Sequence, residues 1–95
     1  MTQKKTGAND AAHIASNGTT TLKSGRGVLQ CVTINSKGGG ANTATIYDST
    51  TASGGVLAVI DTGQVQTLTY CTQFNTGLTI VTAGGTPPDL TVSYV

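Results

Sequence analysis

The chain has no glutamate, no tryptophan, one histidine and one phenylalanine, and nine of its 95 residues carry a charge. Each shortage removes a class of function. With a formal charge of +1, the phosphate attraction on which nucleic-acid affinity rests is missing over most of the chain. Asp10, Asp48, Asp61 and Asp89 are the whole supply of carboxylates. If the strands around STTASGG form a hairpin, Asp48 and Asp61 stand about six residues apart, roughly 20 Å at ~3.3 Å per residue. That is too far for a hydrolytic pair. Each aspartate instead closes a strand or opens a turn, where its carboxylate bonds backbone amides two residues on. No loop carries more than one carboxylate, which argues against calcium. His13 lies beside Ala12 and Ile14 in a stretch without periodicity, where no base is held against a nucleophile. Cys31 and Cys71 have no C-x-x-C spacing and no neighbouring histidine, which excludes zinc. They read as two separate buried thiols, with a disulfide formed outside the cell as the alternative. Gly38-Gly39-Gly40 lacks the Lys-Ser/Thr of a phosphate-binding loop and reads as a flexible strand connection. The expectation is a non-enzyme with no catalytic residue, metal or cofactor.

Long apolar runs are also absent. The stretch MTQKKTGANDAAHIASNG has two lysines but no apolar segment behind them, so neither a signal peptide nor a membrane span is expected. Synthesis in the cytoplasm follows as an expectation, and Asn17-Gly18-Thr19 then reads as a turn before a strand rather than a glycan acceptor. Ile, Leu, Val and Phe supply only 20 residues. Disorder also needs strong net charge, so the chain can still collapse, but its core is thin and subunit contacts are the usual remedy.

What is present is threonine, glycine, serine and asparagine, 43 residues in all. Such a composition favours strands and turns over helices. Seven strands follow at close spacing over residues 19–23, 27–35, 43–48, 56–61, 66–74, 78–82 and 90–94. The fold class is all-β, a small antiparallel β-sandwich or jelly-roll-like barrel of about seven strands. Residues 1–17 form an extended N-terminal arm and residues 18–95 the β-sandwich domain. Period-two alternation puts Ala44, Ile46, Val56, Ala58, Ile60, Leu68, Tyr70, Phe74, Leu78, Ile80, Leu90, Val92 and Tyr94 on core faces. In VLQCVTI, Val28, Val32 and Ile34 share one face while Leu29 and Cys31 take the other, which suits either a strand central in its sheet or a second face covered by another subunit. NTATIYDSTTASGGVLAVI and NTGLTIVTAGGTPPDLTVSY echo one another as two similar hairpins.

GVLQCVTINSKGGGANTATIYDSTTASGGVLAVIDT, continued by LTYCTQFNTGLTIVTAGGTPPDLTVSYV, resembles a family of small β-sandwich proteins encoded by tailed bacteriophages and prophages. The resemblance covers residues 19–95 and rests on TATIYD, TGLTIVTAGGTPPDLTVSY and the Gly-Val-Leu opening, all strand and turn motifs. Cys31, Cys71 and the triple glycine depart from it. It implies a structural protein of the virion, above all a head decoration or cement protein docked on the capsid lattice. A tail, connector or fibre module is the alternative, and a carbohydrate-binding β-sandwich displaying Tyr47 a lesser one. The partners it implies are the major capsid protein and neighbouring copies, as a trimer or dimer on the particle, with no nucleic acid and no membrane. Lys4, Lys5 and Arg26 are the candidate contacts to an acidic capsid surface.

Overall fold

The structure, a computed structural model, describes residues 10–95, and among these residues there are eight strands and no helix. In chain order they are β1 (Asp10–Ile14), β2 (Gly18–Ser24), β3 (Gly27–Ser36), β4 (Thr43–Asp48), β5 (Gly55–Asp61), β6 (Gln66–Phe74), β7 (Gly77–Ala83) and β8 (Asp89–Tyr94). They form two four-stranded antiparallel sheets ordered β1-β8-β3-β6 and β2-β7-β4-β5. First pairs with last, second with seventh, third with sixth and fourth with fifth. That is one long hairpin rolled up, the jelly-roll arrangement of a β-sandwich.

Between the sheets lie inward-facing side chains of the strands, with β2 contributing only Leu22 to the apolar core. Phe74, Leu29, Ile34, Ile46, Leu78, Ile80 and Leu90 are the largest fully buried apolar side chains. The apolar supply is just enough, because each strand needs side chains on one face only and leaves Thr, Ser and Asn on the other. Thr82 also points inward, and its hydroxyl is buried without a hydrogen-bond partner.

Three expectations change at β-bulges. A bulge displaces Leu57, between Ile46 opposite Ala58 and Tyr47 opposite Val56. The extra residue reverses the alternation, so Leu57 packs against the core and Val56 is 54% exposed. In β3 the register shifts at Gln30 against both neighbours. Leu29 thereby joins Val32 and Ile34 inside, and the strand has one apolar face, not two. Opposite it, Cys71 takes φ 50° in the bulge of β6 and is exposed, while Cys31 is half-buried. The two thiols are separate, but neither is fully buried.

Residues 10–14 of the expected arm are a strand. β1 pairs residue for residue with β8, from Asp10 opposite Tyr94 to Ile14 opposite Leu90, and Ile14 is 7% exposed. Tertiary pairing overrides the weak strand propensity of DAAHI. The echo of two hairpins also fails in its second half, since β7 and β8 belong to different sheets. Pro87 and Pro88 lie between them and have no amide to continue a ladder.

Only the β4–β5 connection returns within its own sheet; the others cross between sheets. Four crossings meet at one end around Asn42, which is 2% exposed. Its amide donates to Asn17 Oδ1 at 2.8 Å and to the Gly84 carbonyl at 2.6 Å. Its own Oδ1 accepts the Thr62 hydroxyl at 2.8 Å. One side chain thus ties the β1–β2, β3–β4, β5–β6 and β7–β8 connections. Gly85 is needed there: at φ 51°, its backbone lies against Gly39 and Gly40 with no room for a Cβ.

Two substitutions bracket these polar interiors in urea unfolding. Thr82→Val removes an unpaired buried hydroxyl at nearly constant volume and raises stability by about 1 kcal/mol, while Asn42→Ala orphans its partners and lowers it by about 2–3 kcal/mol. Deleting residues 1–17 bares the β8 edge and removes Ile14 and Asn17, so thermal unfolding followed by circular dichroism shows a loss of at least about 3 kcal/mol.

Candidate functional site

Three of the four aspartates bind the protein's own backbone and side chains. Asp48 ends β4 with its carboxylate turned to the β6–β7 turn. Oδ1 accepts the amides of Thr76 at 2.8 Å and Asn75 at 3.0 Å, with Gly77 further off at 3.4 Å. The Thr76 amide foremost, then that of Asn75, holds its carboxyl below the ordinary value of 3.8. Asp61 bonds the amide two residues on, at Gly63, 2.9 Å away, as its place at a strand end predicts. The register puts Asp61 opposite Thr43, at the other end of the hairpin from Asp48.

Asp89 joins three strands. Asn35 of β3 donates to its Oδ1 at 3.0 Å and His13 Nε2 of β1 lies 2.7 Å from the same oxygen. Asn35, followed by His13, lowers the Asp89 carboxyl from its ordinary value. His13 is therefore fixed on the outer face of a sheet, not carried on an arm. A histidine held by a carboxylate is two-thirds of a nucleophilic triad, but no hydroxyl or thiol is hydrogen-bonded to its ring among the described residues. The His13 side chain is 63% exposed, so the pair is water-screened and adds little stability. Among the described residues no three His, Cys, Asp or Glu side chains lie together as metal ligands. Among the described residues no helix is long and apolar enough to cross a membrane.

Of the three sequence-predicted contacts, Lys4 and Lys5 lie outside the described residues. Arg26 sits in the tight turn between β2 and β3, exposed, and lines an open groove of about 310 Å3 with Lys23, Gly27, Val28, Gln73 and Val95. Each wall has a local cause. Gly25 at φ 101° makes the turn, and its amide donates to the Thr76 carbonyl at 2.8 Å. Gly27 lets the start of β3 pass the Phe74 ring and the Val95 carbonyl, where a Cβ would collide with both. Reciprocal backbone hydrogen bonds between Val28 and Val95, 3.2 and 2.9 Å, close the far side.

The groove is small and lined chiefly by apolar atoms, with Lys23 and Arg26 as its charges. Neither forms a salt bridge among the described residues. Its volume is at the lower limit for small-molecule sites and suits one or two side chains of a partner better than a cofactor. Sequence reasoning found Arg26 but not the groove. Its residues come from β2, the following turn, β3, β6 and the segment after β8, neighbours only once the sandwich closes.

A second exposed feature lies on the outer face of β2-β7-β4-β5. The row Thr19, Val81, Thr45, Val59 runs straight across all four strands, followed by Thr21, Thr79, Tyr47, Val56. Val59 and Val56 are 66% and 54% exposed at the β5 edge. Residues of the β4–β5 loop cover the other side of this face, where Thr79 donates to the Ser49 carbonyl at 2.7 Å and Thr21 to that of Thr50 at 3.0 Å. Tyr47 is on this outer face, as expected, but half-buried.

In comparison with known families no family model matches the chain, and no curated protein matches it.

Because the folded Asp48 and Asp89 carboxyls titrate below their ordinary value, the stability they supply is complete above about pH 4 and lost as the pH falls through the lower folded values. Asp48→Asn removes part of that dependence. Thermal midpoints between about pH 5 and 2 fall less steeply in the variant than in the parent, and the parent is the more stable at neutral pH.

Proposed function

We propose that this protein is a non-enzymatic structural component of a tailed-phage virion, a decoration or cement protein that docks on the capsid and stabilises its lattice. The observation that carries the reading is the division of labour among its polar groups. Asp48, Asp61, Asp89 and His13 bind the protein's own strands and turns. What faces outward is an uncharged threonine–valine sheet face and a shallow groove with two cations. Such a surface suits docking rather than turnover.

A lattice protein meets its partner many times over, so weak single contacts suffice when several act together. The major capsid protein takes the groove end in this reading. Neighbouring copies, as trimer or dimer, meet along the edge with Val56 and Val59 and cover apolar surface that a thin core leaves outside. The resemblance of residues 19–95 to phage β-sandwich proteins supports the same class. A tail, connector or fibre position is the second reading within it, and the uncharged sheet face suits stacking of copies there as well.

Purified chain mixed with phage heads stripped of small proteins is expected to pellet with them and to appear as regular density on the head lattice. Raising salt from about 0.05 to 0.5 M weakens the binding by no more than about tenfold, because few charges take part. Density on the tail moves the assignment to the second reading, and absence of binding to either part removes the protein from the virion.

A further inference from the structure

We propose that the Lys23–Arg26 groove receives an acidic segment of a different protein, with a carboxylate between the two cations and an adjacent apolar side chain against Val28. The proposal rests on the docking reading above and names the chemistry of the partner. Lys23 and Arg26 line the same groove without a salt bridge among the described residues. The rest of its lining is Gly27, Val28, Gln73 and Val95, and the surface it presents is mostly apolar. An inorganic anion satisfies the charges and leaves the apolar wall wet. An apolar residue alone leaves two cations facing a desolvated contact, which is costly. A carboxylate beside an apolar side chain answers both.

The aspartates of residues 1–95 are poor candidates for that occupant. Residues 1–9 contain Lys4 and Lys5 and no acid, so they are repelled. A second copy offers only aspartates already engaged: Asp48 on the β6–β7 turn, Asp61 on Gly63, Asp89 on His13 and Asn35, and Asp10, which has an interaction of its own. Releasing any of them breaks a fold contact to make an exposed ion pair of small worth. An acidic segment of a different protein meets the groove without that loss.

The site is built to position its charges. The tight turn fixes Arg26 beside the β2 end, where the Lys23 backbone lies against Gly77. Lys23 is half-buried, so its stem covers apolar surface while the ammonium reaches water.

Two titrations test the inference on the full chain, followed by amide NMR. A capped peptide carrying Leu-Asp-Glu-Leu is expected to shift Val28, Gln73 and Arg26 saturably, and its Leu-Asn-Gln-Leu counterpart not to. Arg26→Gln and Lys23→Gln each raise the peptide Kd by about three- to fivefold with unchanged thermal midpoints. Arg26 is exposed in a turn, so that variant folds even if Lys23→Gln does not. Equal binding of both peptides, shifts spread away from the groove, or no saturable binding overturns the proposal. Inorganic phosphate reproducing the shifts at similar concentration reduces the site to an anion contact and overturns it too. Wild-type heads binding Lys23→Gln/Arg26→Gln as well as the parent sink the groove while leaving the virion reading intact. If even the parent fails to dock on heads, the virion reading falls and the peptide titration still decides the groove.

Discussion

The buried amide of Asn42 is the contact on which the sandwich most depends. Connections that cross between sheets cannot be held by a shared ladder, so something else must fix where they pass one another. Asn42 has donors and acceptors on one short side chain and meets a residue from each of the other three crossings at its end. The cluster is satisfied, which is what allows a polar side chain to remain at 2% exposure. At the opposite end the Asp48 carboxylate does similar work with charge, gathering the β6–β7 turn onto the end of β4. The sheets supply area and burial, and these two polar anchors set the register in which the area can be buried.

Much of this was legible in the sequence, and the failures have physical causes. Two of the expected strand spans, residues 43–48 and 66–74, coincide with β4 and β6, and the other five differ by one residue at one or both ends. Alternation within TATIYD and LTVSY is unbroken, so their inward faces could be read directly. Val56 and Leu29 were misplaced because a bulge adds one residue and reverses the faces beyond it, and nothing in GGVLAVI or VLQCVTI marks where the extra residue goes. β1 was missed because DAAHI has two alanines and one apolar β-branched residue, too little pattern to separate from a tail. Its identity as a strand comes from β8, nearly the whole chain away.

The triple glycine was read as a flexible connection and proves to be a close approach. SKGGGAN and TAGGTPP lie against each other, joined by the bridge between Gly39 and Thr86. The groove was half-legible: Arg26 stood out as a cation in a turn, while Val28 and Gln73 looked like ordinary strand residues. Proximity of segments distant in sequence is the information a single sequence carries least.

The pairing of β1 with β8 has a consequence for how the protein comes into being. The two strands it joins are the earliest and the latest described strands to be synthesised, and only β4 and β5 can pair as a local hairpin. A topology so dominated by distant pairing folds on the millisecond-to-second scale rather than in microseconds. While the chain grows, β2 waits for β7 and β3 for β6 and β8, so their ladder edges stay open. One sheet can therefore be completed once β7 is made, and the other only when β8 is available. The chain's sparse apolar content, which leaves the finished core thin, also limits how readily those open strands find one another on different chains.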